Sequence, residues 1–312
     1  MKRDILTIAI PQIPVEPVTT ELLSEKNIVL DVLREDLIHP EVSGNKFRKL
    51  KYNVEQALRK EASGLLTFGG AYSNHIAATA AMGKITGLST VGMIRGEELQ
   101  YSFMENPTLR YAHEQGMHLE FMSRNAYREK ERPQTIELLR EKWGNIHILP
   151  EGGSNALAVK GCAEILGEAM SEYTHIAVSV GTGGTMAGLV ASALPHQEVI
   201  GFSALRGTFQ KKLIQKYTQN KRFHITDDYC FGGYAKVTPP LIAFMNAFRE
   251  QNNILLDPVY TGKMLWGIFD WVKGEKFLKN SRILAIHTGG LQGIVGMNQY
   301  LKRKNQPLIN TY

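Results

Sequence analysis

The feature that most constrains this chain is an alternation that runs through nearly all of it. Short apolar runs, most of them closing on glycine, proline or polar residues, take turns with segments of helical spacing. The runs are NIVLDVLRED (27–36), GLLTFGG (64–70), STVGMIR (89–95), HLEFMS (118–123), NIHILP (145–150), THIAVSVG (174–181), VIGFSAL (199–205), RFHITD (222–227) and RILAIHT (282–288). Continuous apolar character, rather than strict alternation of sides, marks strands buried on both faces. Between them, 44–62 carries apolar residues at helical spacing through Phe47, Leu50, Val54, Ala57 and Leu58. Further helices are expected near 74–86, 107–115, 134–142 and 156–171, after Gly184, near 240–250 and 263–272, and at the end. The charged stretch 124–133 reads as an exposed connection ending at Pro133. Such a chain predicts parallel sheets covered by helices on both faces. About nine strands, by this pattern reading, fit one barrel or two open sheets. No tandem repeat stands out.

Composition narrows the partners. With 43% hydrophobic residues in 312, the chain is too apolar to be disordered and long enough for one large or two ordinary domains. Two cysteines, Cys162 and Cys230, make no disulfide framework and no CxxC pair, which fits a reducing, cytoplasmic setting. The net charge of +6 is concentrated at Lys211, Lys212, Lys216, Lys221 and Arg222, and in a tail with Lys302, Arg303 and Lys304. No aromatic platform is interleaved there, so a solvated surface is expected and no nucleic acid. Pro11, Pro14 and Pro17 interrupt the first apolar stretch before it could form a signal-peptide core. No apolar run reaches 18 residues, and neither a membrane partner nor a metal is expected.

In open parallel sheets, chemistry sits where strands end and helices begin. Four such loops hold reactive residues. SVGTGGTMAG (179–188) follows an apolar strand. Gly181, Gly183 and Gly184 let the backbone approach an anion, while Thr182 and Thr185 add hydroxyls at a helix N-terminus. The loop lacks the ending of a nucleotide P-loop, and Met186 stands where a dinucleotide fingerprint needs glycine. It reads as a phosphate cup or as a packing turn. SGNKFRKL (43–50) puts Lys46 at the mouth of a helix, where alone it reads as a solvated cation. FGGAYSNH (68–75) offers Ser73, Asn74 and His75 at a helix start, as N-caps or as functional groups. IHTGG (286–290) offers Thr288 in what alone is a plain glycine turn.

Together and in this order the loops are specific. RED followed by GNKFRKL, then GGAYSNH, PEGGSN (150–155), GTGGT, DPVYTGK (257–263) and HTGG resemble the fold type II pyridoxal-phosphate enzymes, the tryptophan-synthase-β-like group. More narrowly, the chain resembles the 1-aminocyclopropane-1-carboxylate (ACC) deaminase and D-cysteine desulfhydrase family, from about Arg34 to the C-terminus. The resemblance implies roles. Lys46 matches the lysine that carries pyridoxal phosphate, and Lys49 and Lys51 do not. Gly181, Thr182, Gly183, Gly184 and Thr185 match the phosphate cup. Asn74 matches the partner of the cofactor's ring hydroxyl. Ser73 matches a serine beside the substrate carboxylate, with Asn74 and His75 next to it. Tyr234 and Tyr260 match two active-site tyrosines. Thr288 faces the pyridine nitrogen and substrate, and Thr261 lies on the substrate side.

The resemblance also bears on substrate and architecture. It implies Glu after the second tyrosine and Leu in an HLGG motif for ACC deaminases; this chain has Thr261 and Thr288. Both departures resemble the D-cysteine desulfhydrases, so α,β-elimination from D-cysteine or a related small D-amino acid is expected. ACC deamination is the alternative, and a β-replacement synthase or a non-catalytic pyridoxal-phosphate-binding protein are further ones. A neutral Thr288 at the ring nitrogen favours elimination over transamination. Family architecture implies two open, mostly parallel α/β domains, with the cofactor in the cleft between them. The smaller would span 50–161, and the larger 1–49 plus 162–312. Relatives of this kind imply a homodimer.

Overall fold

The computed structural model describes Ile8 and residues 10–311. Most of the N-terminal stretch before Pro11 lies outside the described residues. The chain divides into two compact α/β units. Among the described residues, one comprises 39–42 and 46–161, and the other comprises 11–38, 43–45 and 162–311.

The first unit holds a four-stranded sheet of β3 (Gly64–Gly69), β4 (Ser89–Arg95), β5 (His118–Met122) and β6 (Ile146–Ile148). Its order is β5-β4-β3-β6 and every pairing is parallel. All six residues of β3 are buried, as a continuous apolar run requires. Leu66, Phe68, Val91 and Met93 pack on one face with Tyr127, Leu139 and Ile146. A second cluster of Ile76, Ala80, Ile94, Leu109, Ala112 and Met117 packs helices Asn74–Thr86 and Pro107–Glu114 against strand residues.

The second unit holds a six-stranded sheet: β1 (Val15–Val18), β2 (Val29–Leu33), β7 (His175–Val180), β8 (Glu198–Ser203), β9 (Phe223–Thr226) and β10 (Arg282–Ile286). The order is β1-β2-β10-β7-β8-β9, parallel except for β1 against β2. Helices Pro239–Asn252, Thr261–Lys273 and Gly293–Arg303 supply much of its core, through Leu241, Met245, Leu265, Ile268, Ile294 and Leu301.

Three local expectations change. The structure has ten strands among the described residues, because VEPV forms β1. This short strand contains Pro17, which lacks a ladder donor and suits a sheet edge. The stretch 124–133 is not all loop: Arg124–Arg128 is helical, with Ser123 Oγ accepting from Ala126 N–H at 3.2 Å. The helix expected over 156–171 stops at Ala163, and a separate turn, Glu168–Met170, follows Gly167. Among the described residues no helix is long and apolar enough to cross a membrane.

The RED motif has a structural role in the second unit. Buried Arg34 forks onto Asp36, with Nε at 2.9 Å and Nη2 at 2.8 Å, and Nη1 lies 2.8 Å from Glu16 Oε2. The pairs tie β1 to the chain leaving β2. Asp36 Oδ1 also lies 3.3 Å from His287 Nδ1, at the end of β10. Arg34→Met would leave the Asp36 carboxylate buried without its guanidinium. The expected loss is about 3–5 kcal/mol, the usual cost of breaking a buried pair from one side. Urea unfolding checks it, and a midpoint within error of wild type overturns this role for Arg34.

Candidate active site

In the second unit, β7 runs directly into the glycine loop. Gly183 takes φ +94° and is the N-cap of helix Gly184–Ser192, where it has no side chain to cap the first N–H groups. An uncapped N-terminus presents backbone N–H groups and partial positive charge, which suits a phosphate. Gly181 lies close against Tyr260: a Cβ there would lie 3.2 Å from the Tyr260 hydroxyl, a tight contact that the tyrosine would have to yield to.

Two more strand-end segments of this unit reach the same loop. Asn45 Nδ2 donates to Thr185 Oγ1 at 2.7 Å, and Asn45 N–H donates to the Thr288 carbonyl at 3.3 Å. The buried Thr288 hydroxyl lies 3.2 Å from Ser179 Oγ. Segments 43–45, 179–185 and 288–289 therefore converge, and Lys46 is the next residue of the chain. Thr288 and Ser179 are both neutral, so this buried pair of hydroxyls brings no charge to the end of the glycine loop.

Tyr260 stands at the start of helix Thr261–Lys273, and its ring meets Tyr234 edge-on at 6.2 Å between centroids. The turn beneath Tyr260 is built by Asp257. One carboxylate oxygen accepts from Val259 and Tyr260 N–H, at 3.0 and 3.1 Å. The other accepts from Thr261 N–H at 2.7 Å and from the Thr261 hydroxyl at 2.8 Å. Thr261 was expected beside the substrate; here it is fully buried and its hydroxyl locks this turn. Lys263, in the same helix, donates to the Cys230 and Gly233 carbonyls. Burial pushes its amine down to about 8, against the opposing charges of Cys230 and Asp257.

In the first unit, Lys46 and Lys49 share the first turns of helix Asn45–Arg59. Lys46 is half-buried. Lys49 is 3% exposed and donates to the Gly152 carbonyl at 2.8 Å and to Ser154 Oγ at 3.0 Å, in the PEGGSN loop. Ser73 caps helix Asn74–Thr86 by accepting from Ile76 N–H at 3.3 Å, which leaves its hydroxyl proton for a further acceptor. Asn74 is the first residue of that helix, half-buried. His75, expected next to the substrate, is 1% exposed and packed on Gly153, where a Cβ would lie 2.6 Å from its ring. Burial first, then the charges of Lys46 and Lys49, hold it well below the ordinary histidine range. The ring is therefore a neutral packing group under the Ser73 turn.

Sequence reasoning missed Asn45, Ser179, Asp257 and Lys263 as working parts. Asp257 carried a signal, since an Asp at the head of a turn accepts local N–H bonds. Lys263 carried one too, as the lone cation of TGKMLWGIF.

A family model described as "Pyridoxal-phosphate dependent enzyme" matches residues 18–289. A Thermotoga maritima protein with the provisional name 1-aminocyclopropane-1-carboxylate deaminase is 33% identical over 303 residues, covering 89% of this chain and 94% of its own. A D-cysteine desulfhydrase of Klebsiella pneumoniae is 29% identical, covering 86% and 89%. A crystal structure described as an ACC deaminase homologue superposes with a TM-score of 0.81 at 25% identity, over 94% of each chain.

Proposed function

Since this chain belongs to the pyridoxal-phosphate-dependent enzymes, we propose that it eliminates sulfide from D-cysteine, giving pyruvate and ammonia with uptake of one water. The cofactor, when bound, supplies an electron sink conjugated to the substrate nitrogen. The uncapped helix end after Gly183 fits its phosphate, and the paired neutral hydroxyls of Ser179 and Thr288 fit a ring nitrogen that carries no full charge. Lys46 would hold the cofactor through Nζ. Asn74 would bond its ring hydroxyl.

The other assignments follow what each side chain can still do. The Lys46 amine, when not holding the cofactor, would take the proton from the substrate Cα. Ser73 keeps a hydroxyl proton for the substrate carboxylate, and the N-terminus of its helix favours that anion. Tyr260 and Tyr234 offer phenol protons on the departing side. The observation that carries the choice of substrate is the Asp257–Thr261 lock. Both Asp257 oxygens are committed to the turn, and Thr261 adds no acid. A turn without a free carboxyl suits a leaving group that departs easily. A thiol, with an ordinary pKa of about 8.5, leaves without a strong acid, whereas opening a cyclopropane ring must protonate carbon. The second reading, ACC to 2-oxobutanoate and ammonia, is favoured by the name of the Thermotoga relative.

Purified, cofactor-loaded protein assayed with D-cysteine, L-cysteine and ACC in parallel separates the two. Sulfide and pyruvate from D-cysteine alone are expected. 2-Oxobutanoate from ACC without sulfide from D-cysteine overturns the choice.

A further inference from the structure

Lys263 is a buried cation to which the reading above gives no task. It lies in the first turn of helix Thr261–Lys273, three residues after Tyr260, and is 2% exposed. A lysine so placed is costly unless its donors are met. Its Nζ donates to the Cys230 carbonyl at 2.8 Å and the Gly233 carbonyl at 2.9 Å, and both bonds go to one loop. That loop is conformationally unusual. Phe231, Gly232, Gly233 and Ala235 all take positive φ, from +52° to +122°. Two of them, Phe231 and Ala235, are L-residues in a region such residues rarely occupy. A backbone of this kind persists only where its surroundings over-determine it. Exposed neighbours do little of that: Gly232 is exposed and Tyr234 is 45% exposed. Cys230 Nα–H closes one turn onto Asp227, and the Gly233 N–H closes the next onto the Cys230 carbonyl. The lysine then grips the Gly233 carbonyl, immediately before Tyr234, and the Cys230 carbonyl three residues earlier.

We propose that Lys263 is a positioning residue: it clamps the 230–233 loop so that Tyr234 is held edge-on to Tyr260, and its influence on turnover passes through Tyr234. The proposal rests on the assignment of Tyr234 to the substrate side of the site. The Cys230 thiol and the Asp257 carboxylate are the titratable groups whose charges act on the amine, and its hydrogen bonds go instead to the two backbone carbonyls. The neutral amine keeps two N–H donors, one for each carbonyl, so the clamp holds in both protonation states. A packing role alone would be met by methionine, which has similar length and no donor.

Two measurements on the cofactor-loaded protein test this. In Lys263→Met, hydrogen exchange at amides 231–236 rises about tenfold or more while β7 and β10 keep their protection; unchanged exchange in that loop overturns the clamp. With D-cysteine, Lys263→Met lowers kcat/KM about tenfold in the wild-type background and has little further effect in Tyr234→Phe. An equal loss in both backgrounds overturns the route through Tyr234. Lys263→Gln, whose amide nitrogen ends one atom short of the lysine nitrogen, replaces the Met variant if that protein does not fold. Failure of wild-type turnover on D-cysteine would count against the substrate reading, and the exchange result would still judge the clamp.

Discussion

Lys46→Ala protein supplied with pyridoxal phosphate shows no visible absorbance of lysine-bound cofactor, and its turnover falls by at least about 10²–10⁴-fold, the worth of a positioned acid–base group. The neighbouring lysines of the same helix, Lys49 and Lys51, are the natural controls. Lys49 Nζ is bonded to Gly152 and Ser154, and Lys51 Nζ lies 5.0 Å from the centre of the Tyr52 ring. Lys49→Ala and Lys51→Ala therefore keep the absorbance. Lys49→Ala loses stability instead, about 1–3 kcal/mol, because it leaves two acceptors of the PEGGSN loop without their donor. Absorption spectra and urea midpoints on the three variants separate attachment from support. Absorbance that survives in Lys46→Ala and vanishes in Lys49→Ala would move the attachment to Lys49.

That contrast shows what was legible in the sequence. The strands were legible because burial on both faces leaves continuous apolar runs, as in GLLTFG, every residue of which is buried. β1 was not, because VEPV joins its sheet by backbone pairing at an edge and carries Pro17. The break after Ala163 was missed because apolar spacing alone does not show where a helix ends. In the site, Lys46 was weak alone, and only the order of the surrounding motifs singled it out from Lys49 and Lys51. The fate of Thr261 was hidden for a different reason. Its hydroxyl could face substrate or Asp257, and the choice depends on how the 257–261 turn closes. Lys263 was read as one more motif position, since nothing in a one-dimensional pattern reports that its amine ends among carbonyls thirty residues earlier.

Gly44→Ala is the substitution expected to damage the second unit most. Gly44 takes φ +65°, and a Cβ there would lie 2.0 Å from the Thr288 carbonyl oxygen and 2.4 Å from its carbon. Those are backbone atoms at the end of β10, so no side chain can swing aside. The left-handed backbone adds roughly 1 kcal/mol for alanine, and the contact must be relieved by moving 43–45 away from 288–289. That movement takes Asn45 from both Thr185 and Thr288, and Lys46 moves with it because it is the next residue. The expected loss is at least about 3 kcal/mol, read as a lowered urea midpoint. In the fraction that folds, cofactor affinity falls in a titration followed by absorbance. Gly70→Ala is the control: its added Cβ meets nothing within 4 Å and its φ is not positive, so stability should change by no more than about 0.5 kcal/mol. If Gly44→Ala unfolds at the same urea concentration as Gly70→Ala, the packing of 43–45 on 288–289 is not what holds Asn45 on Thr185 and Thr288.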